Sequence, residues 1–208
     1  MDIGAYIVVL VTSYFLGSVP AGYLAGKARG LDVRTMGSGN IGATNAFRVL
    51  GKTAGTVVLM ADMLKGFAAA RWAPLLALYL FPGAEPQREY LKLAAGVAAI
   101  LGHNFTCWLK FKGGKGIATS GGVVLAWAPL ACVTALALWG VVFAATKFVS
   151  LASIAAALVL PVAVWCWDGS LTMTAVMAAL SALAIYKHKA NIQRLLAGTE
   201  NRAGAKKP

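Results

Sequence analysis

Charge is what this chain has least of. Only 12% of its 208 residues are charged, 59% are hydrophobic, and the mean hydropathy is +0.72. A soluble domain carries about twice that charge, so a soluble fold is excluded. Its apolar runs have the length of helical spans, and the expected fold class is an all-α integral membrane protein, a polytopic helical bundle. Acidic residues are the scarcest, 7 against 19 Lys and Arg, for a net charge of +12. The basic residues cluster in short loops beside apolar runs, as cytoplasmic loops do. That pattern argues for anionic membrane lipids and a phosphorylated small molecule as partners, and against nucleic acid.

Other absences narrow the chemistry. The three cysteines, Cys107, Cys132 and Cys166, are far apart, and the chain has two histidines. No metal-ligand spacing is present, so neither metal nor cofactor is expected, and the cysteines read as small buried residues. The G-x-x-x-x-G-K-[ST] spacing of a nucleotide loop is missing, as is a G-x-S-x-G nucleophile elbow. No internal repeat marks a secondary transporter. The start of the chain lacks the basic residue of a signal peptide and carries Asp2, so it reads as a retained span.

A helical span takes roughly 20 apolar residues. Candidates run over residues 3–24, 53–72, 90–109, 149–167 and 171–186. Residues 117–146 hold no charge over 30 positions, with Pro129 near the middle. Most of the basic residues fall in the loop 27–52, in 110–116, at Lys147 and in the tail. Asp2, Glu85, Glu89 and Asp168 fall at the opposite ends. Keeping every basic loop in the cytoplasm makes 117–146 a hairpin. The result is seven transmembrane helices, N-terminus out and C-terminus in. A hairpin that only dips into the bilayer leaves five full spans in the same orientation. Residues 1–202 are expected to form a single domain, with 203–208 a flexible basic tail.

Polar residues gather where chemistry is expected. Gly37-Ser38-Gly39-Asn40-Ile41-Gly42-Ala43-Thr44-Asn45, with Arg48 three residues on, forms a glycine-rich loop between two spans. Glycines let backbone N–H groups approach a ligand, and an Arg beside them suits a phosphate. If the segment from Ile41 is helical, Asn45 and Arg48 share a face. Lys112-Gly113-Gly114-Lys115-Gly116 is a second basic, glycine-rich segment. Placed before a helix starting at Ile117, it gains the anion affinity of a helix N-terminus. Asp62 and Lys65, three apart in an apolar span, are either a structural ion pair or a wall of the site. His188 and Asn191 share a face if the last helix continues. His188 is then either a candidate acid or base, or part of a headgroup-facing cluster.

On these residues the chain resembles the bacterial acyl-phosphate-dependent glycerol-3-phosphate acyltransferases, the PlsY family. The resemblance covers about residues 14–202. Gly17-Ser18-Val19-Pro20, the 37–48 segment and Asp62-Met63-Leu64-Lys65-Gly66 carry its first half. Gly102-His103-Asn104-Phe105 with 111–119, His188-Lys189-Ala190-Asn191-Ile192 and the 194–200 segment carry the rest. Trp108 stands where a smaller aromatic is common. The resemblance implies transfer of a fatty acyl group from acyl phosphate to the 1-hydroxyl of glycerol 3-phosphate, in phospholipid biosynthesis. It implies no acyl-CoA, no metal, and a monomer sufficient for activity. It places the enzyme in the bacterial inner membrane with its active site facing the cytoplasm. By analogy, Ser38, Arg48, Lys115, His188 and Asn191 are the essential positions. Gly37, Gly39, Asn40, Thr44, Asn45, Lys112, Gly113, Gly114, Gly116 and Glu200 support substrate binding, and Asp62, Lys65 and His103 are further possibilities. The H-x-x-x-x-D arrangement of another acyltransferase class is absent: the fifth residue after His103 is Trp108, and the fifth after His188 is Gln193.

Overall fold

The computed structural model describes residues 1–204. Among them the chain forms ten α-helices, two short 3-10 turns and no strand. It divides into two compact units, residues 1–127 and the chain from Ala128 onward. Four helical stretches are long and apolar enough to cross a bilayer: Ile3–Lys27, Lys52–Leu80, Pro129–Thr146 and Val149–Asp168. Leu171–Lys187 with Lys189–Leu196 makes a fifth if that bent pair is one span. Large apolar side chains such as Val133, Leu136, Val141, Leu158 and Val162 stay exposed. Such faces are at home in lipid, where only the backbone has to be satisfied internally.

The first unit holds α1 (Ile3–Ser18), α2 (Ala21–Lys27), α3 (Ala43–Leu50), α4 (Lys52–Leu80), α5 (Arg88–Asn104) and α6 (Ile117–Trp127). Asp2 caps α1, its Oδ1 accepting from the Ala5 N–H at 3.1 Å. The first apolar run breaks at Val19, because Pro20 has no N–H to continue the helix. The long helix α4 is central, packed by α1, α3, α5 and α6. Glycines set how close these helices come. A side chain on Gly66 would meet the Thr119 carbonyl of α6, and one on Gly122 would meet the Met63 carbonyl of α4. Gly17 and Gly102 do the same between α1 and α5. Without a strong hydrophobic drive between helices in lipid, such close backbone approach carries the packing.

Several expected boundaries move. The second span continues past Trp72 through Pro74 to Leu80. Ala73, Ala77 and Leu78 pack there with Ala5, Val9, Leu91 and Ala95, and this cluster outweighs one lost helical hydrogen bond. The third span ends at Asn104 rather than Leu109. It gives way to a 3-10 turn at Cys107–Leu109 and to left-handed Lys110 and Phe111 (φ 54° and 59°). The uncharged 117–146 stretch is two helices, broken at Ala128 just before Pro129. At 17 and 11 residues, α5 and α6 are shorter than a full perpendicular span.

In the second unit α8 (Val149–Asp168) packs against α7 (Pro129–Thr146) and α9 (Leu171–Lys187). Trp139 Nε1 donates to Ser153 Oγ at 3.2 Å, and Trp167 Nε1 to Thr134 Oγ1 at 3.1 Å, tying α7 to α8. The helix α10 (Lys189–Leu196) turns 57° from α9 at His188. Ala203 donates its N–H to the Lys147 carbonyl at 2.9 Å; the rest of the expected flexible tail, from residue 205, lies outside the described residues. Of the cysteines expected to be buried, Cys132 is buried, Cys107 is half-buried and Cys166 is exposed on α8. The outer face of a membrane helix accepts a thiol as readily as the interior does.

A Gly122→Val protein should unfold at a clearly lower temperature in detergent, by about 1–3 kcal/mol of overpacking. Gly121→Ala, one position along the same helix and with nothing within 4 Å of the added Cβ, should match wild type or exceed it. Equal melting of the two variants would show that the α4–α6 approach does not limit stability.

Candidate active site

Asn45 shapes the first loop. It is almost fully buried at the start of α3. Its Oδ1 accepts from the Ser38 N–H at 2.8 Å, and its Nδ2 donates to the carbonyls of Val33 (2.9 Å) and Met36 (3.1 Å). Gly37 and Gly39 take positive φ (61° and 69°), and a Cβ on Gly37 would strike Asn45 Oδ1. Asn40 Oδ1 accepts from the Gly42 N–H at 2.8 Å and leads the chain into α3. Asn45 therefore folds the loop, and it is Ser38 and Arg48 that are exposed. Arg48 forms no ion pair among the described residues, and Thr44 is half-buried. Upstream, Asp32 Oδ1 accepts from the Arg34 backbone N–H at 3.0 Å and its carboxylate pairs with the Arg34 guanidinium; these bonds hold Asp32 down at about 2.

The second loop is built against the end of α5. The Gly113 N–H donates to the Asn104 carbonyl (3.2 Å) and the Gly114 N–H to the His103 carbonyl (3.1 Å). Side chains on Gly113 and Gly114 would run into the His103 carbonyl and the His103 ring, and left-handed Gly116 (φ 81°) lies against the Asn104 amide. These glycines are fixed by close approach. The N–H groups of Gly113 and Gly114 are thereby used within the protein. The first turn of α6, beginning at Ile117 as expected, offers further N–H donors. Lys115 is half-buried beside them and Lys112 is exposed. The two loops belong to one end of this unit: Leu109 packs in the same apolar cluster as Val33, Ile41, Ala46 and Leu50.

Asp62 and Lys65 lie in α4. They form a buried ion pair at 2.8 Å (Oδ1 to Nζ), with side-chain exposures of 2% and 6%. Lys65 Nζ also donates to the Val19 carbonyl at 2.7 Å, at the break between α1 and α2. His103 Nδ1 stands 3.4 Å from Asp62 Oδ1. Neither the Val19 carbonyl nor the His103 contact has a sequence signal, since both join distant segments.

In the second unit His188 and Asn191 are buried at the α9–α10 bend. His188 Nδ1 lies 2.8 Å from the Ala184 carbonyl. A carbonyl only accepts, so the neutral ring carries its proton on Nδ1 and its lone pair on Nε2. Glu200 is bound on both oxygens. Oε1 accepts from Asn191 Nδ2 (2.7 Å) and Ser150 Oγ (2.8 Å), and Oε2 from Arg194 Nε (2.7 Å). Ser150 was missed from sequence, for it lies 50 residues from Glu200. Burial pushes the Glu200 carboxyl up, but the bonds from Asn191, Ser150 and Arg194 together hold it below its usual range.

The glycerol-3-phosphate acyltransferase family model matches residues 7–198. A glycerol-3-phosphate acyltransferase of Bacillus velezensis is 45% identical over 194 residues, 92% of this chain and 94% of that protein. One from Geobacillus kaustophilus is 43% identical over 193 residues, 92% and 93% of the two chains. Among solved structures, an integral membrane glycerol 3-phosphate acyltransferase, PlsY (YgiH), matches in its glycerol 3-phosphate form. Its TM-score is 0.87 at 37% identity, covering 97% of this chain and 96% of that one. Its lysophosphatidic acid form matches with a TM-score of 0.84 at 36% identity, over the same shares.

Asp62→Asn leaves a buried ammonium without its anion and should destabilise the protein by about 3–5 kcal/mol. The double variant Asp62→Asn, Lys65→Met should recover part of that loss in thermal unfolding. A single variant melting like wild type would mean that the pair carries no weight. For Glu200 the folded-state pKa is depressed, so its contribution is present above the usual carboxylate range and lost as pH falls through the folded value. Glu200→Gln should therefore flatten the acid side of the stability curve; an unchanged acid limb would remove Glu200 from that role.

Proposed function

The chain belongs to the glycerol-3-phosphate acyltransferase family and is an integral membrane acyltransferase, and from that premise we propose that its donor is acyl phosphate and its acceptor the 1-hydroxyl of glycerol 3-phosphate. The family match over nearly the whole chain carries this reading. The hydroxyl oxygen attacks the acyl carbonyl carbon, the carbon–oxygen bond to phosphate breaks, and lysophosphatidic acid and inorganic phosphate leave. The hydroxyl proton passes to a base or to the departing phosphate. Acyl phosphate is a mixed anhydride with a good leaving group, so the reaction needs positioning and charge stabilisation rather than a covalent acyl-enzyme.

Arg48 and Ser38 hold one phosphate, and Lys115 with the first turn of α6 holds the other. Two observations support this: Arg48 and Ser38 are exposed on the first loop, and Leu109 packs the second loop into the first loop's cluster. His188 and Asn191 serve the proton transfer or orient the substrate, and Asn191 is held in place through Glu200. Residues 1–202 act as one acyltransferase domain in the bacterial inner membrane, sufficient as a monomer. Its seven membrane elements are α1–α2, α4, α5, α6, α7, α8 and α9. Both loops face the cytoplasm, as their basic charge requires.

Purified protein in detergent should release phosphate and form lysophosphatidic acid from palmitoyl phosphate and glycerol 3-phosphate, and do neither with palmitoyl-CoA. Arg48→Ala and Lys115→Ala should each lower kcat/KM by about 100-fold or more, the scale of a lost charge-stabilising donor. Turnover with palmitoyl-CoA would overturn the donor assignment. Full activity in either variant would remove its loop from the site.

A further inference from the structure

The acidic ends of the spans should be poor in cations, yet one holds three. An open cleft between α4 and α5, closed at one side by the end of α6, is lined by Arg71, Arg88 and Lys92 together with Ala70 and Pro74. It is remote from the glycine-rich loops: Arg88 and His103 are separated by about 22 Å along α5 at 1.5 Å per residue. Nothing in the proposed reaction uses it.

Its charges are unevenly matched. Arg88 pairs with Glu85 at 2.7 and 3.0 Å, and Lys92 with Glu89 at 2.9 and 3.0 Å. Both carboxylates are mostly exposed, at 57% and 66%, so these are surface pairs of small strength that leave further donors on each cation. Arg71 enters no ion pair among the described residues, although it sits inside a helix flanked by Ala68, Ala69, Ala70 and Ala73. A cation at such a place is costly in a bilayer unless it reaches a headgroup or an anion. Trp72, Tyr79 and Tyr90, all more than half exposed, surround this end of α4 and α5. Exposed Trp and Tyr mark the headgroup level of a membrane. Pro74 has no N–H to offer the Ala70 carbonyl, which leaves an acceptor at the cleft.

We propose that this cleft seats the headgroup of an anionic phospholipid, its phosphate diester held by Arg71, Arg88 and Lys92. A headgroup hydroxyl, as in phosphatidylglycerol, donates to the Ala70 carbonyl. Basic pockets between membrane helices bind lipid phosphates in this way. The aromatic surround favours a lipid over free phosphate, which shares the same anionic chemistry but has no reason to be drawn to the headgroup layer. The seat is independent of the acyl-transfer reading, because none of its residues serves that site.

The test is native mass spectrometry of the purified full-length protein, titrated in detergent with phosphatidylglycerol, phosphatidylcholine or inorganic phosphate. One phosphatidylglycerol should bind per chain at least tenfold more tightly than phosphatidylcholine, and raised salt should weaken it. The Arg71→Gln, Lys92→Gln protein should lose that preference while its turnover of palmitoyl phosphate stays at the wild-type level. Equal retention of both lipids by the wild type, which needs no variant to fold, overturns the proposal. So does an unchanged preference in the double variant. Displacement of the lipid by millimolar inorganic phosphate would assign the cleft to free phosphate instead.

Discussion

The buried pair of Asp62 and Lys65 is the constraint on which the rest of the first unit depends. A charge pair removed from water is held only where geometry and further hydrogen bonds compensate its lost hydration. Here Lys65 reaches the Val19 carbonyl, which lies at the break between α1 and α2 and also accepts from the Ala21 N–H at 3.1 Å, and Asp62 faces His103. Each end of the pair thus meets a different loop support. On the lysine side, the break at Val19 sets the direction of α2, whose Gly22 lies against the Ile41 carbonyl of the first loop. On the aspartate side, His103 is the residue against which Gly113 and Gly114 close. One ion pair in the middle of α4 therefore fixes two loops that are more than 60 residues apart in sequence.

The second unit uses the same device with a carboxylate near the membrane surface. Glu200 binds Ser150 at the start of α8 and Asn191 and Arg194 on α10, so the bend at His188 is braced from behind. In both units a charged residue is buried among hydrogen bonds that fix the polar groups around it; in the second unit these include Asn191 itself, held by Glu200. The position of His188 at the bend, and not on a continued helix, follows from this brace. The condition under which His188 and Asn191 share one helix face, a last helix that continues, is not met at the bend, yet both are buried.

What the sequence discloses divides along local and long-range physics. Apolar runs of 16 to 30 residues announced the membrane helices, and the i, i+3 spacing of Asp62 and Lys65 announced their pairing. Glycine density announced both loops, with amides in the first and lysines in the second. Helix ends were less legible. Pro74 reads as a stop in a soluble helix, but in α4 the surrounding alanines and Leu91 hold the helix through it. The opposite error came after Asn104, where apolar Phe105, Trp108 and Leu109 look like more helix. In the fold they belong to a tight turn whose Thr106 hydroxyl donates to the Ser18 carbonyl at 2.6 Å. Contacts of this kind, with partners 88 residues apart, leave no periodic trace.

The glycines of the second loop have a structural use of their own. Gly113, Gly114 and Gly116 suggest an anion cradle, yet two of their N–H groups are used by α5 and their missing side chains make room for His103 and Asn104. On the proposed reading their consequence for an anion is indirect: they bring Lys115 and the first turn of α6 to a fixed place. Asn45 follows the same logic, since its amide is used on the backbone of 33–38 and what it leaves exposed is Ser38. On the proposed reaction this is the division of labour to expect. A donor already activated as a mixed anhydride needs no nucleophile from the protein, and the sequence offers no nucleophile motif. Rate then depends on holding two phosphates at fixed positions, and fixed positions require that most of the polar groups near the site be bonded to the protein before any substrate arrives.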